Sequence, residues 1–228
     1  MELGFLKPIV SSRIKFDIRD NLCMRNKPNI SNIEKLFLDS IDVKKEILQN
    51  ESLNILASMG DEIVRAITNG SKMMLCGNGG SAADAQHLAA EMLVRLRPDN
   101  NREGIPALAL AQDVSTLTAC GNDFGYDVLY ERMVNSLGKS GDVLIAITTS
   151  GNSENIIRAM KAAKEENIIV YGFLGSGGGK AVGFCDESFV VPSNDTGRIQ
   201  ESHITAGHAL MEYIEDKLIA ENFLHVQN

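Results

Sequence analysis

One stretch, residues 73–95, constrains the fold more than any other part of this 228-residue chain. Residues 73–76 form a short apolar run typical of a buried strand, and residues 77–80 follow as a turn that only small residues allow. Ser81 stands at the position of a helix N-cap, before an Ala-rich helix. Together they predict an anion site, because free backbone N–H groups and the helix dipole converge there.

The same helix carries two side chains suited to chemistry, His87 and Glu91, which lie on one face because they are four residues apart. They are candidates for metal ligands or an acid/base pair. The pattern alone is weak, since a histidine beside apolar Leu88 is more often packed in a core. His208 falls on the apolar stripe of the last predicted helix. It is either a satisfied core histidine or a third member of a site shared with His87 and Glu91.

Predicted strands and helices alternate along the rest of the chain. Strands are expected at residues 105–110, 142–147, 168–174 and 187–191. Helices are expected at residues 115–121, 126–137, 153–166 and 199–222. This order predicts an α/β fold, a three-layer doubly wound parallel sheet with helices on both faces. Two amphipathic helices, at residues 32–49 and 52–68, precede the first strand, and a partner subunit is the natural candidate to cover them.

A second loop, residues 148–153, is rich in hydroxyl groups and follows the apolar strand expected at 142–147. Its hydroxyl donors are Thr148, Thr149, Ser150 and Ser153, the last of them a candidate N-cap. Taken alone, the loop is best interpreted as a capped turn. Beside the equivalent turn at 78–81, it favours a phosphate site. Neither the P-loop nor the Rossmann glycine pattern is present, so a sugar phosphate suits these loops better than a nucleotide.

Other polar residues near strand ends leave two interpretations open. Asp113 follows a predicted strand and is suited either to sugar hydroxyls or to capping a turn. Arg95 is long enough to reach a phosphate or carboxylate, although exposed arginines are common.

The composition narrows the class of protein. The formal net charge of −8 argues against broad electrostatic binding of nucleic acid. No apolar run approaches the ~20 residues of a membrane span, and the N-terminus lacks the apolar stretch of a signal peptide, so we expect a cytoplasmic protein. The four cysteines are far apart, which favours reduced thiols. Residues 1–30 are expected to be an N-terminal arm of unknown role, and residues 31–228 a single domain.

Four motifs carry a resemblance to a known family. They read CGNGGSAADAQHLAAEM, ACGNDFG, GDVLIAITTSGNSENII and TGRIQESHITAGH, in that order along the chain. Together they resemble the bacterial phosphoheptose isomerases, which have the sugar isomerase (SIS) fold, over residues 31–217. The resemblance implies a homotetramer with sites at subunit interfaces. It also implies conversion of sedoheptulose 7-phosphate to D-glycero-D-manno-heptose 7-phosphate, the first step toward nucleotide-activated heptose for lipopolysaccharide or another surface glycan.

The resemblance also assigns roles to individual residues. The positions that match the family's zinc ligands are His87, Glu91, Gln200 and His208. Glu91 and His208 also match its proposed acid/base pair. The positions that match substrate contacts are Asn78, Gly79, Ser81, Arg95, Asp113, Thr148, Thr149, Ser150, Ser153 and Gln200. Thr148 stands where relatives often have Ser, and Gly197 where some have a polar residue.

The expected reaction leaves one mechanistic alternative open. Aldose–ketose interconversion moves a proton between adjacent carbons through an enediol, which needs a base, a proton donor and stabilisation of negative charge. A carboxylate bound tightly to zinc is a poorer base. Either the metal is held loosely or one ligand dissociates when substrate arrives.

Two other functions compete with the isomerase. Some similar proteins are non-catalytic SIS tetramers that bind a replication initiator protein, but those lack the carboxylate and histidine that match Glu91 and His208. A sugar-phosphate-sensing transcription regulator would need a DNA-binding module, and residues 1–30 show no helix-turn-helix pattern.

Overall fold

The computed structural model describes residues 30–110 and 113–226. The chain divides into two compact units, residues 1–36 and 37–228. The described part of the first unit is limited to residues 30–36, which are helical from Ser31 onward. The rest of the predicted N-terminal arm lies outside the described residues. The domain boundary expected after residue 30 therefore stays a prediction.

Within the described residues, five parallel strands form one sheet in the order β2-β1-β3-β4-β5. The strands are β1 (Met73–Gly77), β2 (Ala107–Ala109), β3 (Val143–Thr148), β4 (Ile169–Leu174) and β5 (Glu187–Val190). From β1 the chain moves outward to β2, then returns to β3 on the other side of β1. A doubly wound sheet of this order has its ligand crevice at the carboxyl ends of β1 and β3.

Helices surround the sheet much as predicted. They are α1 (Ser31–Gln49), α2 (Ser52–Thr68), α3 (Gly80–Leu93), α4 (Val114–Asp123), α5 (Leu129–Leu137), α6 (Glu154–Glu165) and α7 (Thr196–Ala220). Short 3₁₀ turns occupy Tyr126–Val128, Ser176–Gly178 and Ala181–Phe184. None of the described helices is both long enough and apolar enough to cross a membrane.

Alternate side chains of the central strands enter two separate cores, which confirms the predicted three-layer fold. On β1, Met73 and Leu75 join a cluster that includes residues of α2, α3 and α7. Met74 and Cys76 join a cluster that includes residues of α5 and α6 on the other face. The strands lack the polar alternation of a half-exposed sheet because both faces are covered.

The start of α3 differs from the prediction. Ser81 is not the N-cap, because the helix begins at Gly80 and the N-cap is Gly79, with φ at +57°. Glycine accepts this left-handed backbone at no steric cost. At Gly77 the backbone comes so close to Ser81 that any Cβ there would collide with the Ser81 carbonyl. The turn at residues 77–80 is therefore tighter than predicted. At α6 the prediction is confirmed, because Ser153 is the N-cap.

Candidate active site

Three side chains predicted to act together lie in one cluster between α3 and α7. His87 Nε2 is 2.8 Å from His208 Nε2 and 3.5 Å from Glu91 Oε1. The imidazole rings meet edge to face, with an angle of 87° between their planes. One ligand atom from each residue lies within 4.8 Å of the others. His208 is therefore placed beside His87 and Glu91 and is not a core histidine isolated from them.

The close approach of α3 and α7 brings this cluster together. A Cβ on Gly207, the residue before His208, would lie 2.6 Å from Leu88 Cδ1, so the helices touch where the histidines meet. Toward the start of α3, a Cβ on Gly80 would lie 2.7 Å from Gln200 Nε2. The side chain of Gln200 thus lies against the glycine-rich turn.

The donor set of the cluster fits a divalent metal ion. Two imidazole nitrogens and a carboxylate oxygen are ligands that zinc accepts. A second observation supports the fit, because Asp84 Oδ2 is buried and has no hydrogen-bond partner. Burial raises the pKa of Asp84, while His87 and His208 lower it, so this carboxyl group lies within electrostatic reach of the two histidines. A bound cation would compensate such an orphaned oxygen.

The two predicted phosphate loops are joined by a reciprocal amide pair. Asn78 Nδ2 donates to Asn155 Oδ1 (2.9 Å), and Asn155 Nδ2 donates to Asn78 Oδ1 (2.8 Å). The Tyr126 hydroxyl donates to the same Asn78 oxygen (2.7 Å). Ser153, the N-cap of α6, makes no side-chain capping bond, and Gly79, the N-cap of α3, has no side chain to make one. Two helix N-termini therefore lie beside each other with donors available to an anion.

The hydroxyl-rich loop after β3 has an ordered shape. Thr148 Oγ1 lies 3.5 Å from Ser153 Oγ. Ser150 Oγ accepts a bond from the Asn152 backbone N–H (3.1 Å). Gly151 has φ at +63° and touches the backbone of Gly178, which leaves no space for a side chain. The glycine-rich segment at residues 175–179 packs against this turn.

Two predicted site residues are not drawn into the cluster by any described contact. Asp113 is the N-cap of α4, where its side chain accepts a bond from Thr116 N–H (2.7 Å) that lowers its pKa. Arg95 is exposed on the segment after α3. His203 is a buried core histidine: its Nε2 lies 3.0 Å from the Leu174 carbonyl, and desolvation lowers its pKa to about 4.

Sequence reasoning missed three residues at this site: Asp84, Tyr126 and Asn155. Asp84 lies three residues before His87, so helical spacing alone places it near that histidine. The other two are recognisable only from the folded chain, since Asn155 is 77 positions from Asn78 in sequence.

The chain is similar to a known domain family and to several solved structures. A SIS domain model matches residues 37–175. A phosphoheptose isomerase from Clostridium acetobutylicum is 46% identical over 190 residues, covering 83% of this chain and 96% of the relative. The structure of a phosphoheptose isomerase from Neisseria gonorrhoeae is 39% identical, with a TM-score of 0.76 over 81% of this chain and 97% of its own. The structure from Francisella tularensis is 33% identical, with a TM-score of 0.78 over 83% and 100%.

These matches agree with the family that the four sequence motifs resemble. Each relative is matched over nearly its whole length, so the similarity is not limited to a shared substructure. The chain therefore belongs to the phosphoheptose isomerase family of SIS domain proteins and is an aldose–ketose isomerase.

Proposed function

We propose that this chain converts sedoheptulose 7-phosphate into D-glycero-D-manno-heptose 7-phosphate at the crevice between β1 and β3. The observation that carries the proposal is the meeting of His87, Glu91 and His208 on α3 and α7, together with the adjacent N-termini of α3 and α6. The cluster supplies proton transfer and the helix starts supply an anion site, which are the two requirements of a sugar-phosphate isomerase.

In this mechanism Glu91 is the base. Its carboxylate removes the proton from one of the two reacting carbons and returns it to the other, and the enediol forms in between. The Glu91 side chain is 18% exposed, so it is sheltered yet accessible to a substrate. His208 exchanges protons with the substrate oxygens, and His87 holds His208 through their 2.8 Å contact.

We propose zinc as the cofactor, one ion per site, held by His87, Glu91, Gln200 and His208. Bound zinc would supply Lewis-acid stabilisation of negative charge on the substrate oxygens. The nitrogen and oxygen donors of the cluster and the orphaned Asp84 oxygen support this assignment. Gln200 belongs to the proposed set only because its position matches a zinc ligand of the family, since its amide lies against Gly80 at the start of α3.

The phosphate of the substrate would bind at the two helix starts. Backbone N–H groups at Gly79 and the first turn of α6 would receive it, with side chains from both loops. The proposed contacts are Asn78, Gly79, Ser81, Arg95, Asp113, Thr148, Thr149, Ser150, Ser153 and Gln200. The Asn78 carboxamide is already engaged with Asn155 and Tyr126, so we assign its contribution to the backbone. Sugar hydroxyls are the partners we assign to Asp113.

We further propose that the chain is a homotetramer with sites at subunit interfaces. In the unit of residues 37–228, four apolar side chains of α1 are more than 45% exposed: Phe37, Leu38, Ile41 and Leu48. Covering such side chains with other copies of the chain would remove apolar area from water. The side chain of His87 is 47% exposed, which leaves room for a neighbouring subunit to complete the site.

The same proposal places the enzyme in the cytoplasm, at the first step toward nucleotide-activated heptose for lipopolysaccharide or another surface glycan. The free thiols of Cys76, Cys120 and Cys185 fit a reducing compartment. Binding of a replication initiator protein is not supported, because the chain has both Glu91 and His208 and its relatives are named as isomerases.

The decisive test is incubation of metal-analysed protein with sedoheptulose 7-phosphate, with the aldose product followed by chromatography. Product that forms with zinc and is lost on chelation supports the proposal. No product at any zinc loading contradicts the substrate assignment. Light scattering tests the oligomer separately, because a monomer at micromolar concentration contradicts the tetramer.

A further inference from the structure

The end of α3 is capped by the side chain of a distant arginine. The last four carbonyl groups of a helix have no partner within it. Arg102 supplies donors to two of them: Nη2 bonds the Glu91 carbonyl (3.0 Å) and Nη1 bonds the Met92 carbonyl (2.9 Å). A cation at this position also complements the helix dipole. The backbone of the proposed base is thus held by a guanidinium group.

The other edge of the same guanidinium group is fixed to α7. Arg102 Nε donates to Glu215 Oε1 (2.6 Å), and both side chains are fully buried. The second Glu215 oxygen accepts bonds from Arg97 Nε (2.6 Å) and Asn100 Nδ2 (3.0 Å). Glu215 lies two helical turns after His208 on α7. One planar side chain therefore connects the backbone of Glu91 to the helix that carries His208.

We infer that Arg102 is a positioning residue, which with Glu215 fixes the separation of Glu91 and His208. The inference rests on the proposed function. Arg102 has no direct role at the substrate, because its polar atoms are engaged with Glu215 and with the carbonyl groups of Glu91, Met92 and Glu103.

The chemistry of this pair favours positioning over simple stabilisation. Replacing a buried ion pair by apolar residues of similar volume is often neutral or stabilising, so stability alone does not explain such a pair. Apolar residues cannot donate hydrogen bonds to two helix carbonyl groups and a carboxylate at the same time, as the guanidinium group of Arg102 does. A lysine also fails, because its single ammonium group lacks the planar fork of arginine.

Two changes separate positioning from stability. Arg102→Lys keeps the charge opposite Glu215 but loses the fork. The double variant R102M/E215L removes both charges of the buried pair and keeps the volume, a change that is often neutral or stabilising. Arg97 keeps its ion pair with Asp216 in this variant, and the melting temperature of the variant checks the fold. We expect kcat to fall about tenfold or more in each, because small displacements of reacting groups are costly. KM for the sugar phosphate should stay within about twofold, since the phosphate loops lie at the opposite end of α3.

Asp142→Asn is the matched control. Asp142 is also a buried carboxylate: it accepts bonds from the backbone N–H groups of Lys72 (3.0 Å) and Lys139 (2.9 Å) and pairs with the Lys72 ammonium. It lies just before β3, at the end of the sheet away from the site. We expect a lower melting temperature with unchanged kcat. Wild-type kcat in R102M/E215L would overturn the inference.

A measurement without substrate keeps this test apart from that of the function. Hydrogen exchange of the peptide covering residues 88–96 should be faster in Arg102→Lys than in wild type, and unchanged in Asp142→Asn. If wild-type protein does not turn over sedoheptulose 7-phosphate, the proposed function fails while the exchange result still decides whether Arg102 holds Glu91. Unchanged exchange in this peptide would contradict the inference even in an active enzyme.

Discussion

The Nε2 atoms of His87 and His208 lie 2.8 Å apart, although the two residues are 121 positions apart in sequence. Two facing imidazole nitrogens at this distance share either one proton or one metal ion. The buried Asp84 oxygen without a hydrogen-bond partner favours a cation near them.

The first prediction concerns zinc binding. His87→Ala should weaken zinc binding by at least about tenfold, because even partners behind the ligands of a metal contribute 10–100-fold. Equilibrium dialysis followed by atomic absorption measures the affinity and the stoichiometry. His225→Ala, near the C-terminus, is the control and should bind zinc as wild type does. Equal affinity in the two variants would remove His87 from the metal site.

The second prediction concerns the contact of α3 with α7. Gly207→Ala places a methyl group 2.6 Å from Leu88 Cδ1, so we expect a loss of about 1–3 kcal/mol in unfolding free energy and a lower kcat. Urea denaturation and steady-state kinetics measure the two effects. Gly183→Ala is the matched control, because a Cβ there has nothing within 4 Å. Wild-type stability and kcat in Gly207→Ala would mean that the helices tolerate separation at the site.

The third prediction concerns the link between the two phosphate loops. Asn155→Ala leaves the half-buried amide of Asn78 without its reciprocal partner, an effect worth about 1 kcal/mol. We expect KM for the sugar phosphate to rise with a smaller change in kcat, because the N-termini of α3 and α6 are no longer held in a fixed relative position. Asn135→Ala, on the exposed face of α5, should leave KM unchanged. An unaltered KM in Asn155→Ala would separate this amide pair from phosphate binding.

The fourth prediction concerns pH. Desolvation lowers the pKa of His203 from 6.5 to about 4, so below pH 6.5 the unfolded chain takes up a proton that the folded chain does not. Stability should therefore fall as the pH drops from 6.5 toward 4, by about 3 kcal/mol from this residue. His203→Gln should lose less stability than wild type over this range in urea titrations. Equal losses would show that His203 is not buried as a neutral group.

The fold could be predicted from the sequence because its strands are buried on both faces. Runs such as residues 143–147 are apolar without interruption, and that pattern separates a parallel sheet from an exposed one. The N-cap of α3 lies two residues before the predicted one, at Gly79 and not at Ser81, because capping depends on the left-handed backbone of Gly79. A Gly-Gly-Ser pattern allows more than one start.

The site was harder to predict from the sequence, because its contacts join segments that are far apart along the chain. Helical spacing showed that His87 and Glu91 share a face, but the place of His208 depends on Gly207 allowing α7 to approach α3. The sequence reading did not single out Glu215, since a glutamate in an amphipathic helix is usually solvated. In the structure it is fully buried, because Arg102 and Arg97 arrive from a segment more than a hundred positions earlier.

The central claim is that Glu91 moves the carbon-bound proton, and Glu91→Gln tests it most directly. The amide keeps the size of the side chain but is not a base, so kcat should fall by about 10³-fold or more with circular dichroism and melting temperature unchanged. Glu212→Gln, on the exposed face of α7, is the control and should retain wild-type kcat. Turnover of sedoheptulose 7-phosphate by folded Glu91→Gln within about threefold of wild type would contradict the account.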